Sequence, residues 1–96
     1  MATRIQLDFS NVSLDDYDRV SIALNFPADW PSGLLAHTSA EVDGRLRVVD
    51  VWESEGQFDR FVEDRLGSAI GQTLGDRAEQ PTRTVTELHT FHTRPA

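Results

Sequence analysis

Between Arg45 and Phe61 the sequence changes its period from that of a strand to that of a helix. Arg45 to Trp52 is rich in β-branched and aromatic residues, which suit a pleated, half-buried surface. Ser54 and Gln57 then stand at the Ser-x-x-Gln spacing of a capping box, in which each side chain satisfies a free backbone N–H of a helix's first turn. Behind them Phe58, Phe61, Val62, Arg65, Leu66, Ala69 and Ile70 recur at helical spacing. A strand that hands over so abruptly to a capped helix constrains the architecture on both sides of the junction. It also puts Trp52 at the strand's end, a common place for pocket residues.

Upstream, Ile5, Leu7 and Phe9 alternate with Arg4, Gln6 and Asp8, the pattern of a strand with one buried face. Ser13 and Asp16 have capping-box spacing, and Asp15 with Asp16 suits the positive end of a helix. Leu14, Tyr17, Val20, Ser21 and Leu24 form that helix's inner stripe. It must stop before Pro27, because the residue ahead of proline avoids helical geometry. Residues 25–33, with Pro27, Trp30, Pro31 and Gly33, form a stiff loop in which Trp30 is either a plug for the sheet's end, the favoured expectation, or a lid residue. A second strand is expected over 33–42. Asp43-Gly44 marks a two-residue hairpin, since a type I′ turn needs positive φ at both central positions. A third strand over 45–53, a second helix over 54–74 stopped by Gly75, and a fourth strand over 83–92 complete the chain. Gly67 and Gly71 inside the second helix cost about 1 kcal/mol each relative to alanine.

The order β-α-β-β-α-β is the ferredoxin-like arrangement. It predicts an α+β fold, one domain over residues 1–96, with two helices on one face of a four-stranded antiparallel sheet. The other face carries enough apolar residues to call for a cover, and a second copy of the chain is the simplest one.

A formal net charge of −7, with nine scattered arginines and no lysine, argues against nucleic acid, whose phosphates ask for clustered cations. The same charge disfavours anionic membranes. No run approaches the roughly 20 apolar residues of a membrane span. The N-terminus alternates polar and apolar residues and has no apolar signal core, so a cytoplasmic protein is expected. Without cysteine there are no disulfides, thiolate metal sites or thiol nucleophiles. No Gly-rich phosphate loop, Gly-x-Ser-x-Gly elbow or His-Glu-x-x-His motif occurs, and neither cofactor nor metal is expected. A zinc site would need His37, Asp50 and His89 to converge from three strands, which nothing local requires.

The hairpin turn sets a register. Val42 faces Arg45, Glu41 opposes Leu46, Ser39 opposes Val48, His37 opposes Asp50 and Leu35 opposes Trp52, all on one face. A carboxylate beside an imidazole fixes its tautomer and suits it to act as a general base. Trp52 offers a flat apolar wall to an aromatic ligand. The plainer interpretation is a cross-strand pair that stabilises the sheet by about 0.2–1 kcal/mol and does no chemistry. Tyr17, on the inner stripe, is expected in the core with its hydroxyl reaching a polar edge, a proton-donor role being the lesser alternative.

The element order, the stretch Gly33-Leu-Leu-Ala-His37, and Val48-Val-Asp-Val-Trp-Glu-Ser54 followed by Phe58 and Phe61 resemble the dimeric α+β barrel superfamily. Within it the chain is similar to the antibiotic biosynthesis monooxygenase-like group of small bacterial proteins. The resemblance implies a homodimer with two sheets packed face to face and, in each subunit, a cavity between sheet and helices. Members of that superfamily oxidise polycyclic aromatic polyketides with O₂ and no cofactor, cyclise polyketides, bind haem or degrade small metabolites. Trp52 matches the group's tryptophan. Its quinone-forming oxygenases carry an asparagine four residues earlier, where this chain has Val48. A second asparagine, near the end of strand one, corresponds to Asn11, and a strand-four arginine to Arg83 or Arg94.

Together these residues point to a small cofactor-independent enzyme of monooxygenase or cyclase type, acting on a hydrophobic, aromatic or polyketide-like molecule. His37 would take a proton and Asp50 would orient it, while Trp52, Tyr17 and Asn11 would hold the substrate. The alternatives are a non-catalytic small-molecule-binding or stress-associated dimer, and haem or metal handling through a histidine.

Overall fold

A computed structural model describes residues 1–95. Its elements are β1 (Thr3–Asp8), α1 (Leu14–Leu24), β2 (Leu34–Val42), β3 (Arg45–Trp52), α2 (Glu55–Phe61), a π-turn (Val62–Leu66), α3 (Gly67–Leu74), a 3₁₀ turn (Gly75–Arg77) and β4 (Thr82–Glu87). The strands form one antiparallel sheet in the order β2-β3-β1-β4, the ferredoxin-like α+β arrangement. The helices cover one face. There Ile5, Leu7, Leu46, Val48 and Trp52 are buried against Val20, Phe58, Ala69 and Leu74. On the opposite face Val49 and Val51 are half-buried, beside a polar ladder in which Arg4 donates to Gln6, Gln6 to Asp8, and Arg47 to Asp8 at 2.6–2.9 Å. The Gln6 amide and the Arg47 guanidinium hold the Asp8 carboxyl below its usual range.

Helix α1 starts on a complete capping box. The Ser13 hydroxyl accepts from the Asp16 N–H and the Asp16 carboxylate accepts from the Ser13 N–H, both at 3.1 Å. Asp16 is buried and pairs with Arg19 and, at 3.0 Å, with Arg77 beyond α3. The Arg77 hydrogen bond, then the Ser13 N–H, hold its carboxyl far below the ordinary carboxylate range. The helix ends on Asn25, whose φ of 53° is left-handed, two residues before Pro27.

Only half of the expected box forms at α2. The Ser54 hydroxyl accepts from the Gln57 N–H at 3.2 Å, but the Gln57 amide donates to Glu53 at 3.0 Å instead of the Gln57 carbonyl accepting from the Ser54 N–H. That amide also lies beneath Gly33 (φ 89°), where a Cβ would come within 2.6 Å of it. The single helix expected over 54–74 is instead interrupted. At the π-turn the Gly67 N–H bonds to the Val62 carbonyl, five residues back, and a Cβ on Gly67 would lie 3.0 Å from that oxygen.

Two strand expectations need correction. A bulge between Leu34 and Ala36 pairs Leu34, not Leu35, with Trp52. Leu34 is therefore buried and Leu35 is 41% exposed. Strand β4 ends at Glu87 rather than His92, because β1 offers only Thr3 to Asp8 as partners and one further bond from Leu88 N–H to Ala2. His89, Phe91 and His92 thus lie beyond the sheet.

Candidate active site

Asp43 (φ 53°) and Gly44 (φ 78°) make the tight reversal between β2 and β3, and the register brings His37 opposite Asp50. His37 Nδ1 lies 2.6 Å from Asp50 Oδ1. The Trp52 indole N–H donates to the other carboxylate oxygen at 3.2 Å. From above the sheet, the Tyr17 hydroxyl of α1 reaches His37 Nε2 at 2.5 Å. An ionised carboxylate only accepts and an indole only donates, so with a neutral imidazole the arrangement that satisfies all four groups has the proton on Nδ1 and Nε2 accepting from Tyr17. Trp52, Asp50, His37 and Tyr17 form a continuous chain across β3, β2 and α1.

Aromatic rings shield this chain. The Tyr17 and His37 rings are nearly parallel, 8° between planes with centroids 5.9 Å apart, and are joined end to end through the hydroxyl. Phe26, just past the end of α1, meets the imidazole edge-on at 4.8 Å. Trp30 is not the plug expected at the sheet's end. It stacks on Phe26 at 5.4 Å, donates its N–H to the Leu34 carbonyl at 2.7 Å and remains 46% exposed. Phe26 takes the covering role, and only its place ahead of Pro27 marked it in the sequence.

The chain stands at one end of an apolar cavity of about 160 Å³ between sheet and helices. The wall runs from Pro31, His37, Asp50 and Trp52, past Val48 and Phe61, to Phe9, Leu46, Leu74 and Pro81. Tyr17 also lines it. Trp52 is 1% exposed and packs 5.5 Å from Phe58 and 5.7 Å from Phe61, so it belongs to the cavity wall and the core at once.

Asn11 is not part of this wall. Its amide N–H₂ donates to the Arg77 carbonyl at 2.6 Å and its oxygen accepts from the Glu79 N–H at 3.1 Å. It clasps residues 77–79 to the start of α1, and the substrate-holding place expected for it is not where the fold puts it. Arg83 is equally committed, bonding to Asp59 at 2.7 Å and Glu55 at 3.1 Å over the Phe58 ring. Arg94 lies past β4, outside the cavity wall. Strands β2 and β4 occupy opposite edges of the sheet, so His89 does not join His37 and Asp50. Among the described residues no group of three or more His, Asp or Glu side chains is placed to hold a metal ion. Among them, too, no helix is long and apolar enough to cross a membrane.

No protein-family model matches the chain, and no curated protein does. Solved structures match its fold. A conserved protein from Methanosarcina mazei Go1 superposes with a TM-score of 0.67 at 13% identity, over 90% of this chain and 91% of that one. A protein from Chloroflexus aurantiacus J-10-fl, provisionally assigned as an antibiotic biosynthesis monooxygenase, gives 0.67 at 14% identity over 97% and 98%. A mutant of MhuD with two manganese protoporphyrin IX bound per active site gives 0.59 at 18% identity over 98% and 100%. At such identities the likeness is one of fold. The chain has the ferredoxin-like α+β fold of the antibiotic biosynthesis monooxygenase-like proteins.

Proposed function

We propose that the protein is a small cofactor-independent enzyme, of monooxygenase or cyclase type, that removes a proton from an aromatic or polyketide-like molecule held in the cavity. This function rests on one arrangement: the hydrogen-bonded chain Asp50–His37–Tyr17 at the end of a mainly apolar chamber, whose lining also includes Ser21, Glu79 and Gln80. A substrate hydroxyl or acidic C–H placed at the Tyr17 oxygen gives its proton to that oxygen while the Tyr17 proton passes to His37 Nε2. The imidazolium so formed faces the Asp50 carboxylate, which also fixed the tautomer beforehand. Trp52 anchors that carboxylate through its N–H and offers its ring to the substrate. Tyr17 thereby moves from holding the substrate to transferring its proton. The mainly apolar wall lowers the local polarity, which strengthens each of these electrostatic interactions. A second copy of the chain would cover the open sheet face at Val49 and Val51, and the dimer would work in the cytoplasm.

Haem draws no support from this arrangement: Nε2 of His37, the nitrogen that would have to meet the iron, is taken by the Tyr17 hydroxyl, and His89 and His92 lie beyond the sheet. A second reading, a dimer that binds without turnover, draws support from Trp52, which is sealed into the core with Phe58.

The test is an incubation of purified protein in air with a panel of naphthols, anthrones and linear polyketide mimics, followed by mass spectrometry. Turnover that disappears in His37→Ala and Tyr17→Phe supports the proton relay. Turnover that survives both variants removes it. Saturable binding of the panel with no turnover selects the binding reading. Native mass spectrometry reads the dimer separately.

A further inference from the structure

We infer that Arg65 is a positioning residue for His37, acting through the loop of residues 25–33, a role that rests on the proton-transfer function proposed above. Arg65 lies inside the π-turn, and Gly67 closes that turn with its bond to Val62. Such turns add one residue to a helix and re-aim the side chains within it, and they recur at functional sites. Here the guanidinium Nη2 reaches the Leu24 carbonyl at 3.0 Å, the Asp29 carbonyl at 3.1 Å and the Asp29 carboxylate at 3.1 Å. Leu24 precedes Phe26 and Asp29 follows it. One cation therefore clamps both legs of the segment that presses Phe26 against the His37 imidazole. The Phe61 ring lies under the same guanidinium at 5.4 Å and fixes its direction.

The clamped segment is also a partition. On its outer side lies a groove of about 380 Å³ lined by Trp30, Arg60 and Arg65 among others. Pro31 and Phe61 belong to the walls of both this groove and the apolar cavity. Asp50 sets the tautomer of His37, and holding the loop in place keeps Phe26 against the imidazole, so that the ring stays where Nε2 meets the Tyr17 hydroxyl. All three acceptors gather at the one Nη2 atom, and a lysine, one atom shorter, carries the charge on a stem that does not extend as far.

The experiment is long-range ¹H–¹⁵N NMR of the His37 ring, paired with amide hydrogen exchange of residues 25–33. It compares the wild type with Arg65→Ala, Arg65→Lys and Arg60→Ala. In Arg65→Ala, loop exchange is expected to rise about tenfold, and the ¹⁵Nε2 signal of His37 should shift as the ring moves off the Tyr17 hydroxyl, with Nδ1 still protonated against Asp50. Arg65→Lys should fall between, and Arg60→Ala should match the wild type. Faster loop exchange with an unchanged His37 signature makes Arg65 merely structural and overturns the inference, as does no change in either readout. If Arg65→Ala does not fold, Phe26→Leu decides the matter. It leaves the clamp intact, and an unaltered His37 signature there overturns the inference too. A wild type without the Nδ1–H tautomer strikes earlier, at the proton relay itself, so the two failures are distinguishable.

Discussion

Asp50 Oδ1 sits 2.6 Å from Nδ1 of His37, the residue directly across the hairpin, and the second oxygen of the same carboxylate is held by Trp52. The carboxylate is thus an acceptor on both sides and sets where the histidine proton resides. In Asp50→Asn the side chain can present an N–H₂ to His37, which favours the opposite tautomer and leaves Nε2 unable to accept from Tyr17. Turnover of the true substrate should fall by about 10²–10⁴-fold. The NMR signature of the ring should shift to Nε2–H. A variant that kept the wild-type tautomer would separate Asp50 from the relay.

Tyr17→Phe distinguishes proton transfer from substrate holding. The variant loses one hydrogen bond, worth about 0.5–1.5 kcal/mol of stability, so it should fold and melt only slightly earlier. If Tyr17 carries the proton, kcat and kcat/KM fall together. If it only binds substrate, KM rises and kcat is kept. Steady-state kinetics with any compound the enzyme turns over reads the difference, and the relay predicts the first pattern.

Sequence alone revealed the parts of this site that depend on local rules. Asp43-Gly44 required a tight reversal, and from that the facing of His37 and Asp50 followed by counting. It failed at Leu35 because a bulge, which carries no Gly or Pro marker here, advances the strand by one residue. The Tyr17–His37 bond was out of reach, since it depends on how α1 crosses β2 and not on any spacing within either element. The π-turn left one trace, Gly67 in the middle of a helical pattern, which has the same appearance as an ordinary helix-weakening glycine. Asn11 was placed by resemblance alone, and the fold spends its amide on residues 77–79.

Acid should weaken the fold through Asp16. Its folded carboxyl is held far below the ordinary range, by Arg77 first and then by the Ser13 N–H. The stabilisation is therefore complete above the unfolded carboxyl's value of about 3.9 and is lost progressively as pH falls towards the folded value. Asp16→Asn should cost about 1–3 kcal/mol at pH 7. In urea unfolding the gap between the variant and the wild type should narrow steadily below about pH 4. A gap of constant size from neutral pH down to strong acid would show that the ion pairs of Asp16 contribute nothing.

Two glycines of one helical segment should respond in opposite ways to the same substitution. Gly71 lies in α3 with open space where a Cβ would go, so Gly71→Ala should stabilise the protein by about 0.5–1 kcal/mol through helix propensity. Gly67 closes the π-turn, and its Cβ would stand 3.0 Å from the Val62 carbonyl that its own N–H engages. Gly67→Ala must push that oxygen away or convert the turn to regular α-helix, which rotates Arg65 off the loop it clamps. The propensity gain should vanish or reverse, and exchange at residues 25–33 should quicken. Equal stabilisation by both substitutions, measured by chemical denaturation, would mean that the turn is held by something other than the missing side chain.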